Sequence, residues 1–203
     1  MKKLASLLLT SALAWNLHAD PMAFDFKDPK GVNNIVFKLD APLEAINGST
    51  TGISGKVSFD PEKGESLKGR IVVDAKSLTV PNPLMNEHLH GAEWLEVDKY
   101  PEIIFETESV ANVKTEGFKT TADVTGTLTI KGVSNKVTVP VKLTYLKDRL
   151  KDRVPKMEGD LLVIRSEFVI KRGDFNIMKG QALDKVSDEI ALVFSLAGAA
   201  PKK

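Results

Sequence analysis

The sequence predicts an all-β fold of eight mostly antiparallel strands with one short helix. Three observations carry that prediction. Apolar and polar residues alternate with period two through nearly the whole chain. One stretch alone, Pro81 to Leu95, places its apolar residues at helical spacings. A short Gly-containing turn separates the two longest alternating runs. Strands with one polar and one apolar face must bury the apolar one, and either a closed barrel or a two-sheet sandwich does so.

Taken in order, Ile35, Phe37 and Leu39 share a face against Lys38, and Ile53, Gly55, Val57 and Phe59 alternate with Ser54, Lys56, Ser58 and Asp60. Leu67, Gly69, Ile71 and Val73 then oppose Lys68, Arg70 and Asp74, and Ile103, Phe105 and Thr107 oppose Glu102, Glu106 and Glu108. In the helical stretch, Leu84, Met85, His88, Leu89, Ala92 and Leu95 make the apolar side. Ala122, Val124, Gly126, Leu128 and Ile130 form the cleanest alternation, against Thr121, Asp123, Thr125, Thr127 and Thr129. After the turn Lys131 to Asn135 come Val137, Val139, Val141, Leu143 and Tyr145, and these two runs read as a hairpin. Pro140 lies inside the second of them and has no N–H, so a bulge or an unpaired position is expected there. Leu162, Ile164, Phe168 and Ile170 make the seventh strand, and Ile190, Leu192, Phe194 and Leu196 the eighth. The charged stretch Lys147 to Lys156 reads as an exposed loop, and Gly173 to Ser187 as a second long connection.

Composition removes several classes of function. The 203 residues include 28 Lys+Arg and 27 Asp+Glu, with 42% hydrophobic residues. That is enough apolar content for a core, and a near-zero net charge argues against a nucleic-acid binder. There is no cysteine, which excludes disulfides, thiol chemistry and thiolate metal sites. Lys2 and Lys3 precede an apolar run from Leu4 to Ala14, and a short polar stretch ends at Ala19. This pattern is that of a secretory signal peptide over residues 1–19, with cleavage after Ala19 expected and Ala14 as the competing site. Loss of Lys2 and Lys3 would turn the formal net charge from +1 to −1. The remainder, residues 20–203, shows no linker or shift in composition and reads as one domain without a membrane-spanning segment.

Several inward positions are small: Gly55, Gly69, Thr107, Ala122 and Gly126. In an eight-stranded barrel such residues leave room for one ligand, although strand glycines also mark bends and bulges. His88 and His90, with Glu87 and Glu93 nearby, invite a metal or acid–base reading. Two histidines two apart on a helix face different ways, which suits neither a zinc pair nor a triad. A packed His88 and a solvated His90 are expected instead. Arg172-Gly173-Asp174 spells an adhesion tripeptide, but a structural role is the simpler reading. The threonines at 121, 125, 127 and 129 read as a solvent-facing strand surface.

Short motifs add a resemblance. Ser54 to Pro61, His88-Leu89, Trp94 to Pro101 leading into Ile103 and Phe105, Gly126 to Val133, Val137 to Val139, and the later Arg172, Asp174, Phe175 and Asp188 to Ile190 carry it. Together, over roughly residues 32 to 197, they resemble the YceI-like family of secreted, lipocalin-like, polyisoprenoid-binding proteins. The resemblance implies an eight-stranded antiparallel lipocalin-like barrel whose apolar tunnel holds a polyisoprenoid, an isoprenoid quinone or a related lipid in the periplasm, without catalysis or cofactor. The tunnel would be lined by Phe37, Val57, Phe59, Ile71, Trp94, Ile103, Phe105, Val124, Leu128, Val139, Val141, Ile164, Phe168, Leu192 and Phe194. His88 and Arg172 are the candidate head-group contacts, and Arg172 is alternatively a cap on the barrel. Two departures stand out: Met85 where the family commonly has a basic residue, and Asn176 where it usually has Gly. A lipid-modifying enzyme using His88 or Glu87, and a ligand-free interaction module with a filled core, are the competing functions, and a homodimer is left open. N-terminal sequencing of the exported protein is expected to begin at Asp20; a start at Trp15 would move the cleavage site to Ala14.

Overall fold

A computed structural model describes residues 21–202, so the expected signal peptide lies outside the described residues. Ten strands follow in chain order: β1 Met22–Asp25, β2 Asn34–Asp40, β3 Ala45–Thr50, β4 Ile53–Asp60, β5 Lys63–Asp74, β6 Glu102–Glu116, β7 Lys119–Ile130, β8 Val133–Leu146, β9 Gly159–Lys171 and β10 Glu189–Pro201. Helix α1, Pro83–His90, separates β5 from β6, and a single turn, α2 Leu150–Arg153, separates β8 from β9.

The closed eight-stranded antiparallel barrel is present, built from β1 and β4 to β10, with β2 and β3 as two additional strands. β1 pairs with β4 over four positions and returns to β10 through Asp25 opposite Ala199. The first half of β10 pairs instead with β2, from Lys38 opposite Ala191 to Asn34 opposite Ser195. β3 extends this layer and meets the chain after β5 through an isolated bridge, Ser49 opposite Thr79. The ring is therefore closed by β1 at one level, while at the other the β2–β3 hairpin extends the sheet from β10 and reaches the chain after β5 by that one bridge. Sequence periodicity did not reveal β1, which has only four residues, or β3, whose Ala-Ile-Asn-Gly-Ser-Thr lacks an apolar alternation.

Other details refine the expectations. The β7–β8 turn is shorter than Lys131 to Asn135. Ile130 already pairs with Val133, and Lys131 and Gly132 both take positive φ, 49° and 73°, as a type I′ hairpin requires. Pro140 stays in register with Asp123 of β7, but β8 pairs with β9 only from Val141 onward. On that side the prolyl residue sits where the ladder stops, and its carbonyl accepts the Ser166 hydroxyl at 2.6 Å. The Lys147 to Lys156 stretch is not simply an exposed loop, because α2 sinks Leu150 into the barrel end with no exposed surface.

That end is closed. Phe24 and Phe26, both fully buried, pack with Phe59, Leu162 and Leu196. Asn33, 1% exposed, ties the closure together. Its amide donates to the carbonyls of Phe26 and Ala197 at 3.0 Å each, and its side-chain oxygen accepts from Ala197 N–H at 2.8 Å and from Arg153. Arg153 also pairs with Asp28 at 2.6 Å. Burial raises the Asp28 pKa, but the N–H groups of Asn33, Lys30 and Val32 and the Arg153 charge outweigh it and hold the carboxyl below its ordinary value.

Two outcomes follow. Asn33→Ala strands buried backbone groups and is expected to cost about 2–4 kcal/mol in urea unfolding, whereas Asn34→Ala, which loses one exposed bond, costs under about 0.5 kcal/mol. The stabilisation from Asp28 is complete above the unfolded carboxylate pKa of about 3.9 and is lost as pH falls through the lower folded value. Asp28→Asn should therefore lower stability at neutral pH and flatten the acid limb of the stability profile.

Candidate functional site

The inward faces of the strands do not meet. Between them lies an apolar cavity of about 450 Å³, within the range of roughly 300–1,000 Å³ typical of ligand pockets. Alternate residues of β10 trace its depth: Ile190, Leu192, Phe194 and Leu196 all line it. At about 3.3 Å per residue that is roughly 20 Å of strand. The next inward position, Gly198, lies against the Phe26 ring at the closed end. Phe105, Phe168, Leu192 and Phe194 are only half-buried although they point inward, because the surface they expose faces the cavity. Phe168 and Phe194 lean on each other with ring centroids 5.2 Å apart.

The expected lining set is brought together with one exception. Phe37, Val57, Ile71, Trp94, Ile103, Phe105, Val124, Leu128, Val139, Val141, Ile164, Phe168, Leu192 and Phe194 all border the cavity. Phe59 does not: it is 1% exposed in the packed core, at the closed-end terminus of β4 opposite Met22 of β1. The small inward residues also divide. Gly69 and Thr107 line the space, but Gly55, Ala122 and Gly126 do not. A Cβ at Gly126 would lie 2.4 Å from the Glu106 carbonyl and 2.6 Å from the Phe105 ring, and one at Gly55 would lie 2.1 Å from the Arg70 carbonyl. These two glycines permit close approach of neighbouring strands and do not create the open volume.

The mouth is at the opposite end from the phenylalanine plug. Three segments frame it: the β2–β3 turn with Glu44, α1 with Met85 and His88, and the connection before β10 with Ala182, Lys185 and Val186. Helix α1 begins at Asn82, whose side chain accepts from the N–H groups of Leu84 and Met85. It buries no residue of its own completely. Two polar anchors hold it instead: Asn86 bonds Val80 in both directions, at 2.7 and 2.8 Å, and His90 Nε2 meets the Leu78 carbonyl at 2.8 Å. His90 is thus not the solvated partner expected from sequence. His88 is exposed at the rim and Glu87 does not line the cavity.

Arg172 shapes the rest of the mouth. It is fully buried, and each of its five N–H donors reaches a backbone carbonyl of the connection it begins. Nε donates to Ser187, Nη1 to Ile177 and Met178, and Nη2 to Gln181 and Val186. Its guanidinium also stands over the Trp94 ring, 5.6 Å from the centroid. Burial lowers the pKa of this group, against an opposing effect of Asp188, yet an arginine stays charged at any ordinary pH. No donor is left over for a ligand, so the side chain organises the wall of the mouth. Asn176 follows in the left-handed region, φ 56°, a conformation that Asn tolerates better than other side chains; the backbone there is the one a glycine would take. Met85 puts a thioether at the rim where the family resemblance implied a cation. Glu44 and Lys185, which sequence reasoning did not single out, are exposed charges that line the mouth. Both lie in turns without periodicity, so nothing in the pattern marked them.

Arg172→Lys and Arg172→Met are both expected to loosen the Gly173 to Ser187 connection, because a lysine cannot reach five carbonyls in a plane. Limited trypsin digestion should cut after Lys179 and Lys185 at least about tenfold faster in either variant, with a loss of about 2–4 kcal/mol in unfolding.

Comparison with known proteins agrees with this architecture. The family model of the YceI-like domain matches residues 29–197. The protein YceI of Salmonella newport is 30% identical over 202 residues, covering 98% of this chain and 95% of that protein. Among solved structures, Burkholderia cenocepacia BcnA superposes with a TM-score of 0.66 at 26% identity, over 81% of this chain and 95% of the other. A polyisoprenoid binding domain from Saccharophagus degradans has a TM-score of 0.63 at 15% identity, over 89% of this chain and 99% of that domain, a likeness of fold. With its motifs, its barrel and its matched residues in agreement, the chain belongs to the YceI-like family.

Proposed function

We propose that this protein binds one long-chain amphiphile, a polyisoprenoid or isoprenoid quinone, and holds it in the periplasm as a carrier or store without altering it. The observation that carries the reading is the apolar cavity closed at one end by Phe24, Phe26 and Phe59 and open at the other among a few polar groups. Such a shape takes a hydrocarbon tail inward and leaves a polar head at the rim. The naming of a structural neighbour as a polyisoprenoid binding domain supports the choice of ligand class. The N-terminal Lys-Lys and apolar run support export.

Energetics are consistent with this proposal. Burying a methylene is worth about 0.8 kcal/mol, so a tail of roughly twenty carbons offers on the order of 15 kcal/mol before the costs of association and chain ordering. Affinity then does not require a salt bridge to the head, which fits a mouth where Met85 stands and Arg172 has no free donor. A carrier without chemistry is favoured over a lipid-modifying enzyme because no hydrogen bond joins His88 to a carboxylate among the described residues, and Glu87 does not line the cavity.

Organic extraction of the natively exported protein, followed by mass spectrometry, is expected to yield a near-stoichiometric isoprenoid lipid. Titration of emptied protein with such a lipid should change Trp94 emission, since that ring borders the cavity. Thr107→Phe, which fills the open volume, should weaken retention at least about tenfold with little loss of fold. An empty extract with unchanged Trp94 emission would overturn the reading.

A further inference from the structure

Each of three exposed leucines is the chain neighbour of a residue that lines the mouth. Leu43 precedes Glu44, Leu84 precedes Met85, and Leu183 follows Ala182. Their exposures are 67%, 59% and 48%. They come from three separate segments, the β2–β3 turn, α1 and the connection before β10. Two of these segments are joined directly, because Leu43 N–H donates to the Asp184 carbonyl at 2.9 Å. The leucines thus continue the apolar lining outward onto the surface around the opening. Charges beside them are of both signs, Glu44, Glu87 and Asp184 against Lys185, so the rim offers no cationic field to draw it to an anionic surface.

We propose that this rim docks on a lipid bilayer through Leu43, Leu84 and Leu183, and that the cavity fills and empties across that contact. The inference rests on the lipid-binding reading above and adds the surface through which the ligand passes. A bilayer is the occupant that fits both features at once: it covers protruding leucines, and it contains the hydrocarbon chains that the adjoining cavity accepts. Transfer within such a contact also spares a long tail from crossing water. Because the rim charges are mixed, the attachment is apolar and should persist at high salt.

The opposite end supplies a control. Val32, Phe118 and Met157 are comparably exposed there, at 57%, 58% and 41%, but none borders the cavity. The experiment uses the mature protein, emptied of lipid, with phosphatidylcholine vesicles containing geranylgeraniol as the probe. Flotation reports vesicle binding, and the rate of Trp94 change reports uptake; protein loaded from detergent reports retention. The variant L43S/L84S/L183S is expected to float at least about tenfold less and take up the probe at least about tenfold more slowly, while retaining detergent-loaded probe like the wild type. The variant V32S/F118S/M157S is expected to match the wild type in both vesicle assays, and raising the salt to 1 M to leave wild-type flotation unchanged. Uptake by the leucine variant at the wild-type rate, equal slowing in the closed-end variant, or loss of wild-type flotation at high salt would overturn the docking proposal while leaving lipid binding intact. Wild-type protein that retains no probe even when loaded from detergent would overturn the binding reading, and the docking proposal with it.

Discussion

Every strand edge needs a hydrogen-bonding partner, and here the demand cannot be met by eight strands of equal length, because β1 has only four residues. β1 covers β4 near the closed end and touches β10 at a single register position. Higher up, the same edge of β10 is taken by β2, whose partner β3 reaches Thr79 by a single bridge. β1 thus closes the barrel at the lower level, and the hairpin covers the gap above it. This arrangement decides what each end can do. The end closed by β1 draws in Phe24 and Phe26 and is plugged, while the end covered by the β2–β3 hairpin brings that hairpin's turn to the mouth.

The two ends are stabilised by different chemistry. At the plug, hydrophobic burial is joined by Asn33, which satisfies backbone groups of both β10 and the β1–β2 connection, and by the buried part of the Asp28–Arg153 pair. Tyr145 adds a bond of 2.7 Å to Asp160, and burial followed by that carboxylate pushes the phenol well above its ordinary pKa. At the mouth the apolar burial is split between two smaller clusters, one of Phe37, Leu39 and Val80 and one that includes Leu95, Val97, Ile130, Phe175 and Ile177. Polar contacts to backbone add to them: the five donors of Arg172, the Asn86–Val80 pair, and Lys131 of the hairpin turn, which bonds the Ala92 carbonyl at 2.7 Å. The motifs that mark the family fall largely in this polar frame. Tyr100 packs against Gly132, and Arg172 packs against Trp94.

An interior left open has a cost in dispersion contacts, because lining side chains lack partners on one side. The half-buried Phe105, Phe168, Leu192 and Phe194 are where that cost falls. A hydrocarbon chain lying along them would restore those contacts. The same physics explains why the glycines are poor guides to the volume. Gly126 sits under the Phe105 ring, so the ring occupies the room the glycine leaves, and open space arises where large side chains on opposite walls fail to meet.

By itself the sequence determined which residues face inward, because strand alternation is a local property read two residues at a time. It also determined the helix near the mouth, the β7–β8 hairpin and the prolyl position where the β8–β9 ladder stops. Height along the barrel was decided only by the tertiary structure, since it depends on register and tilt between strands distant in sequence. Phe59 shows the consequence: it alternates like its neighbours, yet its level puts it in the plug and not along the cavity. The roles of Asn33 and Arg172 were hidden for a related reason. A lone polar residue carries no periodicity, and its partners are backbone carbonyls that no side-chain pattern records. Glu44 and Lys185 became neighbours of the opening because strand pairing carried their turns there.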